Sequence, residues 1–401
     1  MTNIVKIYDN PKLLAIFFVS NLDYNGFMTF FKRICGIIVE YNPFHYGHLY
    51  HIKQAKSLSN CELLIAIMSP NIVQRGDLAI LDKQRRAKCA LQQGVNLVFE
   101  LPSIFVLQNA DVFAQGAIKL LSRTGITDLV FGSETADITY LNELAELNFN
   151  IDMVKEELKR GDSYPRVLGR LSDKLYPNDI LALCYLRQLK NYPQIQTHII
   201  KRTNAYQGTK LEGEYASASA IRYSIFHKNS AIDGYTPLAA DLKLYHNTLS
   251  SYFNLIKYSL ISAEKGELNR YLLIDEGIDN HLIQCAKDST DLEDFLDKAT
   301  TRRYTSSRIR RSLLNILLKV KKSDKTALED QAKLRVLAFD DLGQQYLKQL
   351  NKQEIAYVTL LKNLDPLQKD LEYRIAQLYQ LYYQDPTILE KETAGPQRLV
   401  L

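Results

Sequence analysis

The sequence predicts a doubly wound parallel α/β sheet over residues 34–230 and a mainly helical domain over residues 231–401, with residues 1–33 as an N-terminal extension. Two observations carry the first part: short runs of uninterrupted apolar residues, and segments with a single apolar helix face between them. The thinning of strand-like runs beyond residue 230 carries the second.

The apolar runs are CGIIVEY (35–41), LLIAIMS (63–69), NLVFELP (96–102), DLVFGS (128–133) and THIIKR (197–202). None alternates polar with apolar residues, and unbroken apolarity suits a strand covered on both faces of a parallel sheet. Ala110, Phe113, Ala114, Ala117, Ile118 and Leu121 follow the i, i+3, i+4, i+7 spacing of one buried helix face. The segment 82–93 opens on Asp82, a good N-cap, and stops before Gly94, a good C-terminal stop. Strands alternating with helices are the signature of a doubly wound sheet. Beyond residue 230 the chain is charged and helical, with LRVLAF (334–339) the main strand-like run.

With 46% hydrophobic and 24% charged residues, the 401-residue chain has the composition of an ordinary globular protein. No apolar stretch reaches the length of about 20 residues that a membrane helix needs. The net charge of +5 permits a nucleic-acid partner without requiring one. Cys35, Cys61, Cys89, Cys184 and Cys285 are odd in number and widely spaced, which predicts free thiols and a cytoplasmic location. LLAIFFVS (13–20) is short and lacks a clean cleavage site, so it does not predict a signal peptide. A second methionine, Met28, directly precedes the first strand, and residues 1–27 are expected to be dispensable for the fold.

Three of the seven histidines fall within IIVEYNPFHYGHLYH (37–51), at positions 45, 48 and 51. A metal site, packing and a phosphate site are competing explanations. On one helix His45 and His51 would be splayed by about 240°, and the HExxH signature is absent, so no metal site is assigned. Packing suits His51, because a histidine near a strand end is commonly hydrogen-bonded structure. The phosphate reading explains more. Ligands of open α/β sheets bind beyond the carboxyl ends of the strands, where IIVEY delivers Asn42, Pro43 and Phe44. A helix starting near His45 or Gly47 offers free backbone N–H groups to phosphate, and Gly47 lets a ligand approach the backbone. The imidazoles can donate to phosphate oxygens and stabilise charge on a departing pyrophosphate.

HYGH (45–48) resembles the HxGH signature of the nucleotidyltransferase superfamily, whose Rossmann-like fold is shared with class I aminoacyl-tRNA synthetases. The ordered blocks GIIVEYNPFHYGHLYHI, VQRGD (73–77), DLAILDKQRRAKCAL (77–91), NLVFELP, FGSE (131–134), PNDILALCYL (177–186) and SASAIR (217–222) closely resemble the tRNA(Met) cytidine acetate ligase family. The resemblance implies a two-step reaction. Acetate and ATP give acetyl-adenylate and pyrophosphate, and the acetyl group then passes to N4 of the wobble cytidine of elongator tRNA(Met).

The same resemblance implies the site. His45 and His48 would be the catalytic pair, within an ATP cradle of Ile38, Val39, Glu40, Tyr41, Asn42, Pro43, Phe44, Tyr46, Gly47, Leu49, Tyr50 and His51. Gly132, Asn178 and Arg202 match further nucleotide-contact positions; without the family they read as a turn glycine, a helix cap and a solvated arginine. In SASAIR, Ser217 or Ser219 can cap a helix facing phosphate, with Arg222 alongside, although capping alone would also explain the serines. Mg²⁺ is expected with ATP, since it neutralises the triphosphate. The chain departs from the family pattern at Pro70, where a glycine is usual, and at Gln84, where an aromatic is usual; Pro70 would stiffen a loop over the ligand edge.

TRRYTSSRIRRSLLNILLKVKK (301–322) predicts a helix starting near Ser306 or Ser307. Arg302, Arg303, Arg308, Arg310 and Arg311 crowd its N-terminus, where positive charge opposes the helix dipole, which points to an external anion such as a tRNA backbone. A solvated charged face is the alternative, and Tyr304 could stack on an unpaired base. Two other functions stay open at this stage: a small-molecule adenylyltransferase or acyl-adenylate-forming synthetase, and a non-catalytic tRNA-binding protein. No protein partner is implied.

Overall fold

A computed structural model describes residues 31–146, 175–202, 211, 215–227, 232–275, 277–383 and 385–400. The N-terminal segment 1–27 lies outside them. The first half runs β1 (Ile34–Val39), α1 (Tyr46–Ser59), β2 (Leu63–Met68), β3 (Ile72–Val73), β4 (Asp77–Leu78), α2 (Lys83–Gln92), β5 (Leu97–Glu100), α3 (Ser103–Val106), α4 (Ala110–Arg123), β6 (Asp128–Ser133), α5 (Ile138–Glu146), α6 (Pro177–Leu189), β7 (Gln196–Lys201) and α7 (Ala218–Phe226). The second half runs α8 (Ala239–Leu244), α9 (Phe253–Ile261), α10 (Ile278–Lys287), α11 (Leu292–Ala299), α12 (Ser306–Leu317), α13 (Lys325–Asp330), β8 (Leu334–Phe339), α14 (Asp341–Lys352), β9 (Tyr357–Val358), α15 (Pro366–Gln380), α16 (Ile388–Thr393) and β10 (Gln397–Arg398).

The strand order β10-β8-β5-β2-β1-β6-β7 explains where a ligand can bind. From β1 the chain winds one way through β2 to β5, then returns to lay β6 and β7 on the other side, all in parallel register. The switch of direction between β1 and β6 opens a crevice at their carboxyl ends, where open α/β sheets bind ligands. All six residues of β2 are buried, as unbroken apolarity required. Asp82 caps α2 by accepting from the Arg85 N–H at 3.0 Å, and α4 buries the face that its spacing predicted.

LRVLAF forms β8, which pairs antiparallel with β5 and carries β9 and β10. The region after residue 230 therefore contributes strands to the same sheet as well as the helices α8 to α16. All five cysteines are free. No helix among the described residues is long and apolar enough to cross a membrane.

Two buried cationic groups tie the layers together. Arg86, fully buried on α2, donates to the carbonyls of Leu81 (2.9 Å), Glu40 (2.6 Å), Ser69 (3.1 Å) and Pro70. Glu40, Ser69 and Pro70 follow the carboxyl ends of β1 and β2, where backbone acceptors leave the ladder and need other donors. Farther along, Lys83 pairs with Glu100 and with Glu392 (2.8 Å), while Arg335 reaches Glu392 (2.5 Å) and Glu100 (3.4 Å), all four side chains being buried. This square joins α2, β5, β8 and α16. Removing one anion leaves two cations facing a single carboxylate, and breaking a buried pair in this way costs about 3–5 kcal/mol. Glu392→Ala should lower unfolding free energy in urea by about that amount; a loss well under about 1 kcal/mol would contradict the network's role.

Candidate active site

After β1 the backbone leaves the sheet abruptly. Tyr41 is buried with φ of 51°, a left-handed conformation uncommon for a residue with a side chain, and the Asn42–Pro43 peptide is cis. The turn is braced from several directions. The Ile80 N–H donates to Asn42 Oδ1 (2.7 Å), Arg222 Nη1 to the Asn42 carbonyl (2.5 Å), Thr236 Oγ1 to the Phe44 carbonyl (2.6 Å), and the Tyr46 N–H to the Tyr235 carbonyl (3.0 Å). Pro43 and Phe44 are buried; with Tyr46 and Leu49 they support the turn without lining the cavity beyond it.

His45 is the N-cap of α1, and His48 completes a reciprocal cap. His45 Nδ1 accepts from the Gly47 N–H (3.1 Å), and His48 Nδ1 accepts from the His45 N–H (3.2 Å). An Nδ1 that accepts carries no proton, so in both neutral rings the hydrogen sits on Nε2. The rings lie 3.8 Å apart at 30°, with Tyr41 edge-on to His48 at 4.9 Å. Burial, reinforced by the charges of Arg202 and Arg222, holds His45 down at about 3. Burial and then His45 and Arg202 hold His48 well below its ordinary value. Both are neutral near pH 7 and present Nε2–H donors. His51, half-buried in the same wall, is lowered to about 4 by desolvation of its ring, and its buried Nε2 has no hydrogen-bond partner among the described residues.

These rings line a cavity of about 550 Å³ at the β1–β6 switch point. Of the cradle predicted from sequence, Ile38, Val39, Glu40, Tyr41, Asn42, Gly47, Tyr50 and His51 line it with the catalytic pair. Gly132, Asn178, Arg202, Ser217, Ser219 and Arg222 join them from β6, α6, β7 and α7. A Cβ on Gly132 would stand 3.3 Å from Arg202 Cγ, so this glycine makes room for the arginine stem. Arg202 Nη1 donates to Asn178 Oδ1 (3.2 Å), and the Asn178 N–H donates to Glu134 (3.0 Å). Asp179 returns the exchange, accepting from Ser133 Oγ (2.5 Å) and from the N–H groups of Glu134 (2.9 Å) and Thr135 (3.1 Å). Ser217 caps α7 through the Ala220 N–H (3.1 Å), and Arg222 Nη2 reaches Ser219 Oγ (3.2 Å).

Sequence reasoning left Gln74, Arg75, Asp77 and Ser307 unassigned, although they line the cavity. Gln74, Arg75 and Asp77 belong to the VQRGD block that resembles the family, and Ser307 to the start of α12. Gly76, at φ +81°, lies against α12, where a Cβ would meet Arg311 N at 2.6 Å. The departures from the family pattern are both buried and do not line the cavity themselves, although the loop that follows Pro70 does so through Val73, Gln74 and Arg75. The Pro70 carbonyl is held by Arg86, and Gln84 Nε2 donates to the Lys391 carbonyl (3.3 Å).

The arginine-rich helix start divides into two groups. Arg302 and Arg303 are exposed, while half-buried Arg310 lines the cavity and pairs with Asp77 (3.3 Å). Arg308 is half-buried over the Tyr304 ring, 4.8 Å from its centre. Two assignments need correction. Arg311 is 7% exposed and donates to the Gln74 carbonyl (2.8 Å), so it braces the VQRGD loop and cannot reach an external phosphate. Burial, with the charges of Arg308 and Arg75, pushes its guanidinium down to about 10. Tyr304 is 8% exposed beneath Arg308 and offers no open face to a base.

The model of the HIGH nucleotidyl transferase family matches residues 32–393. The chain belongs to this family. It is 36% identical over 347 residues to a tRNA(Met) cytidine acetate ligase of Fervidobacterium nodosum, covering 80% of this chain and 82% of that protein. It is 34% identical over 387 residues to the Bacillus subtilis protein of that name, covering 88% and 93%. A crystal structure of Thermotoga maritima TmcAL superposes with a TM-score of 0.82 at 28% identity, covering 92% of this chain and all of that one. The same protein bound with alpha-thio ATP gives 0.79 at 27% identity, with the same coverage.

In this HIGH nucleotidyl transferase the glycine of HYGH has a steric duty: a Cβ at Gly47 would stand 2.8 Å from His45 Cε1. The propensity gain of alanine over glycine, up to about 1 kcal/mol, is offset by the weakened His45 cap, a loss of about 0.5–2 kcal/mol, so Gly47→Ala should fold with an unchanged or slightly lowered Tm. Displacing His45 should still lower activity about 100-fold, the scale expected for a misplacement of about 1 Å. Activity within about threefold of the parent chain would show that the His45 position does not matter.

Proposed function

We propose that this chain is an ATP-dependent tRNA(Met) cytidine acetate ligase, the function in the names of its relatives. The observation carrying the chemistry is the pair of neutral imidazoles at the N-terminus of α1, facing a cavity that also holds Arg202 and Arg222. In the first step an acetate oxygen attacks the α-phosphorus of ATP. The bond from that phosphorus to the bridging oxygen breaks, and pyrophosphate leaves with the negative charge. The Nε2–H groups of His45 and His48, the helix N-terminus and the two arginines stabilise that charge as it develops. In the second step N4 of the wobble cytidine of elongator tRNA(Met) attacks the acetyl carbonyl carbon. AMP departs, one amine proton is released, and N4-acetylcytidine remains.

The cradle residues that line the cavity hold the nucleotide in this reading, while Pro43, Phe44, Tyr46 and Leu49 shape it from behind. Among the described residues no group of three His, Cys, Asp or Glu side chains is placed to hold a metal ion. A Mg²⁺ arriving with ATP would be carried by phosphate oxygens and water, the usual habit of that ion. Residues 34–230 form the catalytic part, and residues 231–401 contribute to tRNA binding through Arg302, Arg303, Arg308 and Arg310. A tRNA substrate and five free thiols suit the cytoplasm.

Incubating the protein with ATP, acetate and tRNA(Met), then digesting the RNA for mass spectrometry, should yield N4-acetylcytidine only when all components are present. Loss of one preorganised donor typically costs about 100- to 1,000-fold in rate, the drop expected for His48→Ala. Pyrophosphate release without acetylated cytidine would redirect the reading to a small acceptor. Tight tRNA binding with no pyrophosphate release would remove the catalytic role.

A further inference from the structure

We propose that the exposed aromatic end of α7 is a stacking surface for the unpaired tRNA nucleotides beside the reacting cytidine; this rests on the tRNA reading above. The N-terminal part of α7, from Ser217 to Arg222, lines the nucleotide cavity. Its last turn carries Tyr223 and Phe226, 47% and 40% exposed, and runs into exposed His227. Tyr223 and His227 are stacked with ring centres 3.9 Å apart at 22°, and a hydrogen bond of 2.9 Å between His227 Nδ1 and the Tyr223 carbonyl fixes the pair. Phe226 packs edge-on to exposed His246 at 5.8 Å, and nearby in sequence Leu244 is 66% exposed. A surface that gathers rings next to a binding cavity marks an interaction site more than ordinary exposure does.

Nucleobases fit this surface better than a protein does. A helix rises about 1.5 Å per residue, so Tyr223 and Phe226 lie about 6 and 10 Å along the axis from Ser219. That distance spans two or three stacked nucleotides at roughly 3.4 Å each. The surface continues directly from the cavity wall, so bases adjoining one placed in the cavity would meet these rings. Charge agrees: α7 contains no acidic residue, and Arg222 on the same helix lines the adjoining cavity together with exposed Lys201 and Arg202. Aromatic faces beside a basic groove are how unpaired nucleotides are commonly held.

The test compares Tyr223→Ala, Phe226→Ala and Tyr223→Phe in two assays, acetate-dependent ATP–pyrophosphate exchange and acetylation of transcribed tRNA(Met). Stacking predicts that each alanine variant raises KM for tRNA about 5- to 100-fold, while exchange is unchanged and Tyr223→Phe behaves as the parent chain. A KM for tRNA within about twofold of the parent in both alanine variants would overturn the proposal. So would a raised KM that follows a change in sedimentation, which would assign the surface to a second copy of the chain. If the parent chain shows no exchange, the ligase reading fails separately. Binding of an anticodon stem-loop RNA then decides the surface: weakening in the alanine variants supports it, and equal binding overturns it.

Discussion

At the start of α1, His45 and His48 each bind the other's end of the turn, and the chemistry proposed for the cavity depends on that exchange. A helix N-terminus has unsatisfied N–H groups that most proteins cap with Ser, Thr, Asp or Asn. Here two imidazoles do the capping. An aspartate cap would place negative charge where a triphosphate must approach. A neutral imidazole satisfies the same backbone N–H through Nδ1 and retains a donor at Nε2. The cap and the phosphate donor are thus one side chain, which ties catalytic geometry to helix geometry.

The surroundings protect that arrangement. Burial and the nearby Arg202 and Arg222 disfavour a third positive charge, so the rings remain neutral donors. Gly47 keeps space for the His45 ring, and Arg86 fixes the carbonyls following β1 and β2 from which the turn departs. Tyr41 and His51 also present buried polar atoms without partners among the described residues at the same wall. Such orphaned atoms are rare in a native interior, and a bound nucleotide could satisfy them. On the far side the VQRGD loop and α12 close the cavity, with Arg311 holding the loop from within.

Much of this was legible in the sequence because local chemistry dictated it. Unbroken apolar runs marked the parallel strands, Asp82 and Ser217 announced helix starts, and HYGH after a buried strand located the ligand edge. Most of what stayed hidden depends on residues far apart in the chain. Arg311 and Tyr304 looked exposed because arginines at a helix start ordinarily seek solvent or an anion. The partner of Arg311 is a carbonyl 237 positions away, whereas Tyr304 is covered locally by Arg308, four residues on, whose side chain lies over the ring. The antiparallel pairing of β8 with β5 and the exchange between Glu134 and Asp179 were hidden by distance along the chain, as the Arg311 contact was. The histidine tautomers are an intermediate case: spacing brought the rings together, but only the backbone geometry shows which nitrogen accepts.

Nitrogen-15 NMR of the imidazoles, assigned with His45→Asn and His48→Asn variants and followed from pH 8 to pH 5 with and without ATP, tests the account most directly. The folded values lie below the ordinary one of about 6.5, so in the folded protein both rings should be neutral at pH 7 and above with the proton on Nε2, and His45, held down at about 3, should stay so to pH 5. ATP should shift the two Nε2 signals and leave Nδ1 in its accepting state. The unfolded chain takes up protons first as pH falls below about 6.5, so any stability contributed by the neutral rings is present above that pH and is lost on acidification. Rings protonated at pH 7, or protons on Nδ1, would contradict the reciprocal cap and the donor role built on it.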